Sequence, residues 1–173
     1  MTSIKNINQI YFHKDSFKIL PNRINEISTN TESVIFFIDE FFQNRMNLLS
    51  FNFNGYSNIY FNNTSHEPTV ELIDSFVDTI RSKNINPELI IAIGGGSTLD
   101  VGKAISNMLT NPGISEDYQG WDLVKNPGIY KIGVPTLSGT GAESSRTCVL
   151  SNKKKNLKMR LHKKRRNNSK MRN

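Results

Sequence analysis

Residues 89–100 read Leu89-Ile90-Ile91-Ala92-Ile93-Gly94-Gly95-Gly96-Ser97-Thr98-Leu99-Asp100. The first five residues form a continuous apolar run of strand length, which is typical of a strand buried on both faces of a parallel sheet. After the glycines, apolar residues recur at helical spacing as far as Leu109, and Asn111-Pro112-Gly113 is a strong helix stop. The stretch therefore predicts a strand, a glycine loop and a helix in direct succession.

The same alternation of strand and helix extends to both sides of the glycine loop. Another apolar run, residues 33–39, predicts a buried strand with Asp39 at its carboxyl end. Further elements predicted from periodicity are an amphipathic helix after Pro68 that ends near Asn84, and strands at 57–61 and 130–134. Residues 114–128 are expected to form an irregular surface segment. The pattern predicts an α/β fold with a Rossmann-like, mainly parallel sheet flanked by helices, where ligands bind at the carboxyl ends of the strands.

The composition of the 173 residues excludes several classes of protein. No apolar run approaches the roughly 20 residues that a membrane-spanning helix needs, so no membrane association is expected. The N-terminal residues have no hydrophobic core of the secretory type, and a cytoplasmic location is expected. Cys148 is the only cysteine, which excludes an internal disulfide and a cysteine-based zinc site. A small buried apolar side chain is its expected role.

The net charge of +7 is concentrated at one end of the chain. Residues 153–173 contain seven Lys, four Arg and no acidic residue, so that residues 1–152 carry a net charge of −4. We expect residues 160–173 to form a disordered basic tail. Such a tail is compatible with nucleic-acid binding as an alternative function from a different class, tested by a DNA affinity that falls steeply with salt. The tail contains no aromatic residue for base stacking, so nucleic acid is not the expected partner.

The glycine loop has the properties of a phosphate site. Glycines allow the backbone to approach a ligand closely, and the N-terminus of the next helix attracts an anion. Ser97 is predicted to cap that helix, with Asp100 completing a variant of the capping box. Asp100 is expected to contact a ribose hydroxyl or the substrate, because its charge would repel a phosphate. Two common motifs do not fit: the Rossmann pattern needs glycine in place of Leu99, and the Walker A pattern needs glycine in place of Ser97.

Two segments together resemble the iron-containing alcohol dehydrogenase family. One is Gly94-Gly95-Gly96-Ser97-Thr98-Leu99-Asp100-Val101-Gly102-Lys103-Ala104, and the other is Ile132-Gly133-Val134-Pro135-Thr136-Leu137-Ser138-Gly139-Thr140-Gly141-Ala142-Glu143. Glu67-Pro68-Thr69, ahead of a helix, is also similar to the family. Asp117-Tyr118-Gln119-Gly120-Trp121-Asp122-Leu123 resembles the subgroup of 3-deoxy-octulosonate 8-oxidases, which act on an acidic sugar.

This resemblance implies an NAD(P)-binding domain over residues 1–159. Gly94, Gly95, Gly96 and Ser97 match positions that bind the cofactor pyrophosphate, and Asp39 matches the acid that binds the adenosine ribose. An acid there favours NAD over NADP, because it repels a 2′-phosphate. The remaining matches are Thr136, Ser138 and Thr140, which line the cofactor, and Lys158, near its ribose. Without the family, Asp39 could simply end a strand, the hydroxyls could stabilise a turn, and Lys158 could be a solvated charge.

The resemblance also implies a divalent metal, iron or zinc, held by an Asp and three His of a C-terminal helical domain. No position here matches those ligands, and His13, His66 and His162 are widely separated. We therefore expect a truncated alcohol dehydrogenase that lacks the helical domain and is inactive alone, and we hypothesise a frameshift, because residues 160–168 lack family likeness. Alternatives are a relative such as a glycerol dehydrogenase, a glycerol-1-phosphate dehydrogenase or a dehydroquinate synthase, and a regulatory nucleotide-binding module without chemistry. The resemblance also allows a homo-oligomer.

Overall fold

The computed structural model of the chain describes residues 7–153, together with the backbone of residues 157–163. Its helices are α1 (Leu20–Ile27), α2 (Val70–Ser82) and α3 (Gly96–Met108). Its strands are β1 (Val34–Asp39), β2 (Ile59–Asn62), β3 (Leu89–Gly94), β4 (Gly120–Val124), β5 (Tyr130–Pro135), β6 (Thr147–Asn152) and β7 (Leu157–Lys163). In this part of the chain, no helix has the length and hydropathy required to cross a membrane.

Four strands form a parallel sheet in the order β2-β1-β3-β5. The chain leaves β1 toward β2 on one side and then crosses through α2 to β3 on the other side of β1. The carboxyl ends of β1 and β3 therefore flank the point where the direction of winding reverses, which is where ligands bind in sheets of this order. The predicted α/β fold is confirmed, and this point lies between Asp39 and the glycine loop.

Strands β1 and β3 are buried on both faces because they are apolar at almost every position. Ile35 and Phe37 of β1 pack into one cluster with the apolar faces of α2 and α3. Alternate β1 residues, among them Phe36, pack on the opposite face with α1 and a phenylalanine-rich segment before β2. The ring of Phe36 lies 5.6 Å from that of Phe51 and 5.3 Å from that of Phe53. The runs of β1 and β3 are apolar throughout because α2 and α3 cover one face of these strands, while α1 and the phenylalanine-rich segment cover the other.

A second, three-stranded sheet has the order β4-β7-β6. The prediction of an irregular segment over residues 114–128 is wrong, because it contains a 3-10 turn at Ser115–Tyr118 and strand β4. Most side chains of β4 are exposed and Asp122 has a φ of +56°, so this strand shows no apolar periodicity. Strand β7 continues to Lys163, so the first residues assigned to the basic tail are paired with β6. Residues 164–173, and the side chains proposed to bind nucleic acid beyond Lys153, lie outside the described residues.

Cys148 lies in β6 and is 1% exposed, which confirms its expected burial. Burial, followed by the nearby Asp100 carboxylate, raises the pKa of the thiol to about 12. An unfolded thiol ionises near pH 8.5, so stability should be constant below that pH and fall as the pH rises from about 8.5 toward 12. We expect a disulfide exchange reagent at pH 8 to leave the folded chain unlabelled and to label one thiol in denaturant. Rapid labelling of the folded chain would contradict this burial.

Candidate functional site

The glycine loop joins the end of β3 to the start of α3. Gly95 is the N-cap of α3, and no side chain caps this helix. The first helical hydrogen bond runs from the Leu99 N–H to the Gly95 carbonyl, at 3.1 Å. The N–H groups of the three preceding residues consequently have no acceptor within the helix, and the helix dipole adds partial positive charge there. These groups form a suitable binding site for an anion such as a phosphate.

Ser97 does not have the predicted capping role. Because α3 begins at Gly96, Ser97 is already inside the first turn, where its side chain cannot act as an N-cap. The capping-box prediction for Ser97 and Asp100 is therefore wrong. Helix α3 begins two residues earlier than a cap at Ser97 would imply. Ser97 is half-buried in the helix turn whose N–H groups would contact a phosphate.

Gly94 packs directly against the first turn of α3. A Cβ atom added at Gly94 would lie 2.5 Å from the Thr98 Oγ1 and 2.6 Å from the Thr98 Cβ. Thr98 is fully buried, and its hydroxyl accepts a hydrogen bond from the Asn62 Nδ2 at 3.3 Å. The Asn62 Oδ1 is buried without a hydrogen-bond partner. The end of β2 thus contacts the base of the glycine loop, a contact that the sequence analysis did not predict.

The second glycine turn, residues 136–141, lies against the glycine loop. A Cβ at Gly95 would be 3.1 Å from the Leu137 Cδ1, and one at Gly96 would be 3.3 Å from the Thr140 Cβ. The Thr136 N–H donates to the Gly94 carbonyl at 3.0 Å, which fixes the start of the turn beside β3. The two motifs quoted for the family resemblance are therefore brought together at one edge of the sheet.

The polar residues of the second turn are exposed. Thr136, Ser138 and Thr140 are all more than a third accessible. The Thr140 Oγ1 accepts from the Ala142 N–H at 3.3 Å and lies 3.4 Å from the Glu143 Oε2. Lys158 lies in β7 opposite Ser151, and its side chain is outside the described residues. Roles of these four residues in cofactor binding stay predictions.

Asp39 lies at the carboxyl end of β1, as predicted. Its Oδ1 accepts the Phe41 N–H at 3.0 Å, and its Oδ2 accepts the Thr64 hydroxyl at 3.1 Å. The carboxylate is half-buried and stands on the strand next to the one that ends in the glycine loop. An acid in this position can bind the hydroxyls of a ribose whose phosphate occupies the helix N-terminus.

Asp100 has a different environment from the one expected. Its Oδ1 lies 2.7 Å from the Lys103 Nζ, and its Oδ2 accepts the Val149 N–H at 2.9 Å. Lys103 also donates to the Ala142 carbonyl at 3.0 Å and to the Ser145 hydroxyl at 3.3 Å. The ion pair is nearly buried, with side-chain exposures of 13% for Asp100 and 10% for Lys103. Asp100, through its Oδ2, thus holds α3 to β6, and Lys103 holds α3 to the residues after the second glycine turn; both oxygens of Asp100 are engaged here in place of the expected cofactor contact.

The described residues do not bring metal-ligating side chains together. Within residues 7–153 and the other described positions, no three His, Cys, Asp or Glu side chains come together as a metal ion would require. The uncapped N-terminus of α3 and the acid at the end of β1 suit a nucleotide better than a metal ion. The described residues thus form a candidate nucleotide site.

The family model and the relatives that match this chain point to one family. The family model of the iron-containing alcohol dehydrogenases matches residues 8–170, so the expectation that residues 160–168 lack family likeness is wrong. Sulfoacetaldehyde reductase of Bilophila wadsworthia is 41% identical over 88 residues, covering 51% of this chain and 22% of the relative. The NAD-dependent methanol dehydrogenase of Bacillus methanolicus is 31% identical over 93 residues, covering 54% and 24%. The alignments thus span about a quarter of these relatives' length.

Solved structures share the fold. The sulfoacetaldehyde reductase of Bifidobacterium kashiwanohense, in complex with NAD+, superposes with a TM-score of 0.74 at 23% identity. That superposition covers 94% of this chain and 43% of the reductase. A 1,3-propanediol oxidoreductase gives a TM-score of 0.75 at 21% identity, covering 92% of this chain and 42% of that one. The chain therefore shares its fold with a part of each of these proteins that makes up less than half of their length.

Proposed function

The chain belongs to the iron-containing alcohol dehydrogenase family, and we propose that its residues bind NAD as the nucleotide-binding half of an alcohol oxidoreductase. The pyrophosphate binds at Gly94–Ser97 and the N-terminus of α3, and the adenosine ribose binds at Asp39. The second glycine turn, with Thr136, Ser138 and Thr140, covers the cofactor. Lys158 contacts its ribose.

The observation that carries the proposal is the position of an uncapped helix N-terminus at the reversal point of a parallel sheet. The glycine loop ends β3, and the acid ends the adjacent strand β1. A dinucleotide needs an anion site and a ribose site at neighbouring strand ends, and the helix N-terminus after β3 and the acid that ends β1 support these two assignments. The Leu137 Cδ1 and the Thr140 Cβ lie 3.1 and 3.3 Å from the Cβ positions added at Gly95 and Gly96, so residues larger than glycine are unfavourable in the loop.

The reaction proposed for the complete enzyme is hydride transfer between an alcohol carbon and the nicotinamide. A divalent metal, iron or zinc, would polarise the alcohol oxygen in that reaction. Residues 1–173 offer no positions that match the family's metal ligands, so we propose that these residues bind the cofactor and that hydride transfer requires additional residues. The resemblance of residues 117–123 favours a sugar-like alcohol as the substrate.

Calorimetric titration of the purified chain with NAD tests the proposal. We expect saturable binding by the wild-type chain and at least a tenfold loss in Gly95→Asp, about 1.4 kcal/mol, because the substitution places a negative charge at the N-cap of α3, beside the proposed pyrophosphate site. Asn86→Asp is the matched control, since it adds the same charge at an exposed position beyond the opposite, amino end of β3. Absence of binding by the wild-type chain, or equal affinities in the wild type and Gly95→Asp, would contradict the proposed site.

A further inference from the structure

Thr64 contacts the acid of the candidate ribose site from a separate segment of the chain. Thr64 follows β2, is half-buried, and donates its hydroxyl to the Asp39 Oδ2 at 3.1 Å. The other carboxylate oxygen, Oδ1, accepts the Phe41 N–H at 3.0 Å. Both oxygens are therefore held, one by the backbone of the turn after β1 and one by a side chain from beyond β2.

These two hydrogen bonds matter if the Asp39 carboxylate binds a diol, because they fix its orientation. The terminal torsion of an aspartate is broad, so an unrestrained carboxylate rotates readily. Two oxygens have about four acceptor positions, and two remain after the contacts with Phe41 and Thr64. These two can accept the 2′- and 3′-hydroxyls of a ribose. A fixed carboxylate also cannot turn away from a 2′-phosphate, which keeps the repulsion between like charges strong.

We propose that Thr64 is a positioning residue for cofactor specificity: it holds Asp39 in the orientation that favours NAD over NADP. The assignment rests on the proposed function, since it requires NAD to bind with its ribose at Asp39. The hydroxyl of Thr64 acts through Asp39 and does not itself contact the cofactor.

The test is the ratio of the NADP and NAD dissociation constants, measured by calorimetry on the purified chain. Thr64→Val removes the hydroxyl at nearly constant shape and should lower the preference for NAD by about fivefold, the effect of one ordinary hydrogen bond. Thr64→Ser retains the hydroxyl and should keep the wild-type ratio. Thr79→Val is the matched control, because Thr79 is also half-buried and donates its hydroxyl within the protein, to the Ser75 carbonyl at 2.8 Å. Thr64→Ala gives a second hydroxyl-free variant if Thr64→Val does not fold.

Thr64→Val is also measured in a chain that carries Asp39→Ala. This comparison distinguishes an effect of Thr64 through Asp39 from a general effect on the structure. If Thr64 acts through Asp39, Thr64→Val should leave the ratio unchanged in that background. An equal change in both backgrounds would overturn the assignment, as would a wild-type ratio in the hydroxyl-free variants. A wild-type chain that binds no NAD would overturn the proposed function itself, and the assignment with it.

Discussion

Lys103→Met should destabilise the chain by about 3–5 kcal/mol, the range observed when one partner of a buried ion pair is removed. The substitution leaves the Asp100 charge without its 2.7 Å partner in a site where that carboxylate is 13% exposed. It also removes the donor to the Ala142 carbonyl and the Ser145 hydroxyl, which would then lack this hydrogen bond. The measurement is the free energy of unfolding in urea.

Two further variants make this expectation specific to the buried pair. Asp100→Asn combined with Lys103→Met removes both charges and keeps an acceptor for the Val149 N–H, so it should be more stable than Lys103→Met alone. Lys18→Met breaks an exposed ion pair to Asp15 and should cost under about 1 kcal/mol. Equal losses from Lys103→Met and Lys18→Met would show that the buried pair does not hold α3 to β6.

Gly94→Ala should destabilise the chain by about 3 kcal/mol, the upper end of the range for overpacking, and should also weaken NAD binding. The added Cβ would lie 2.5 Å from the Thr98 Oγ1 and 2.6 Å from the Thr98 Cβ. Thr98 cannot retreat easily, because it is fully buried in the first turn of α3. The loop must therefore move, and the N–H groups proposed to bind the pyrophosphate move with it. Thermal unfolding and calorimetry measure the two effects.

Gly133→Ala is the control for Gly94→Ala. It lies on the neighbouring strand β5, where an added Cβ would be 3.4 Å from the Leu99 Cδ2, an ordinary contact. We expect a change in stability of under about 1 kcal/mol and unchanged NAD affinity. A Gly94→Ala chain as stable as Gly133→Ala would show that the close packing at Thr98 can relax without cost.

The two middle strands of the central sheet could be predicted, because packing on both faces requires apolar residues along their whole length. Strands β1 and β3 are apolar at almost every position, so residues 33–39 and 89–93 indicated them directly. The amphipathic pattern after Pro68 likewise predicted α2. Asp39 and the glycine loop lie at the carboxyl ends of those two strands. Because the strands are parallel, both were expected at the same edge of the sheet.

Contacts that depend on tertiary pairing could not be predicted from the sequence. Strand β4 is short and largely exposed, so its residues lack the alternation that identifies a strand. Asp100 was expected at the cofactor, although a lysine three residues later on the same helix was a signal for an ion pair. Asn62 and Thr64 lie in a polar stretch without periodicity. Only the register of β2 against β1, with Asn62 opposite Asp39, places them at the site.

The direct test of the cofactor site is a titration of the isotope-labelled chain with NAD, followed through its backbone amide resonances. We expect saturable shifts of the Gly96, Ser97 and Thr98 amides, which belong to the uncapped first turn of α3. The Asn86 amide, beyond the amino end of β3, should not shift. NAD binding that leaves the three α3 amides unchanged, or no binding at all, would contradict the assignment of the glycine loop as the pyrophosphate site.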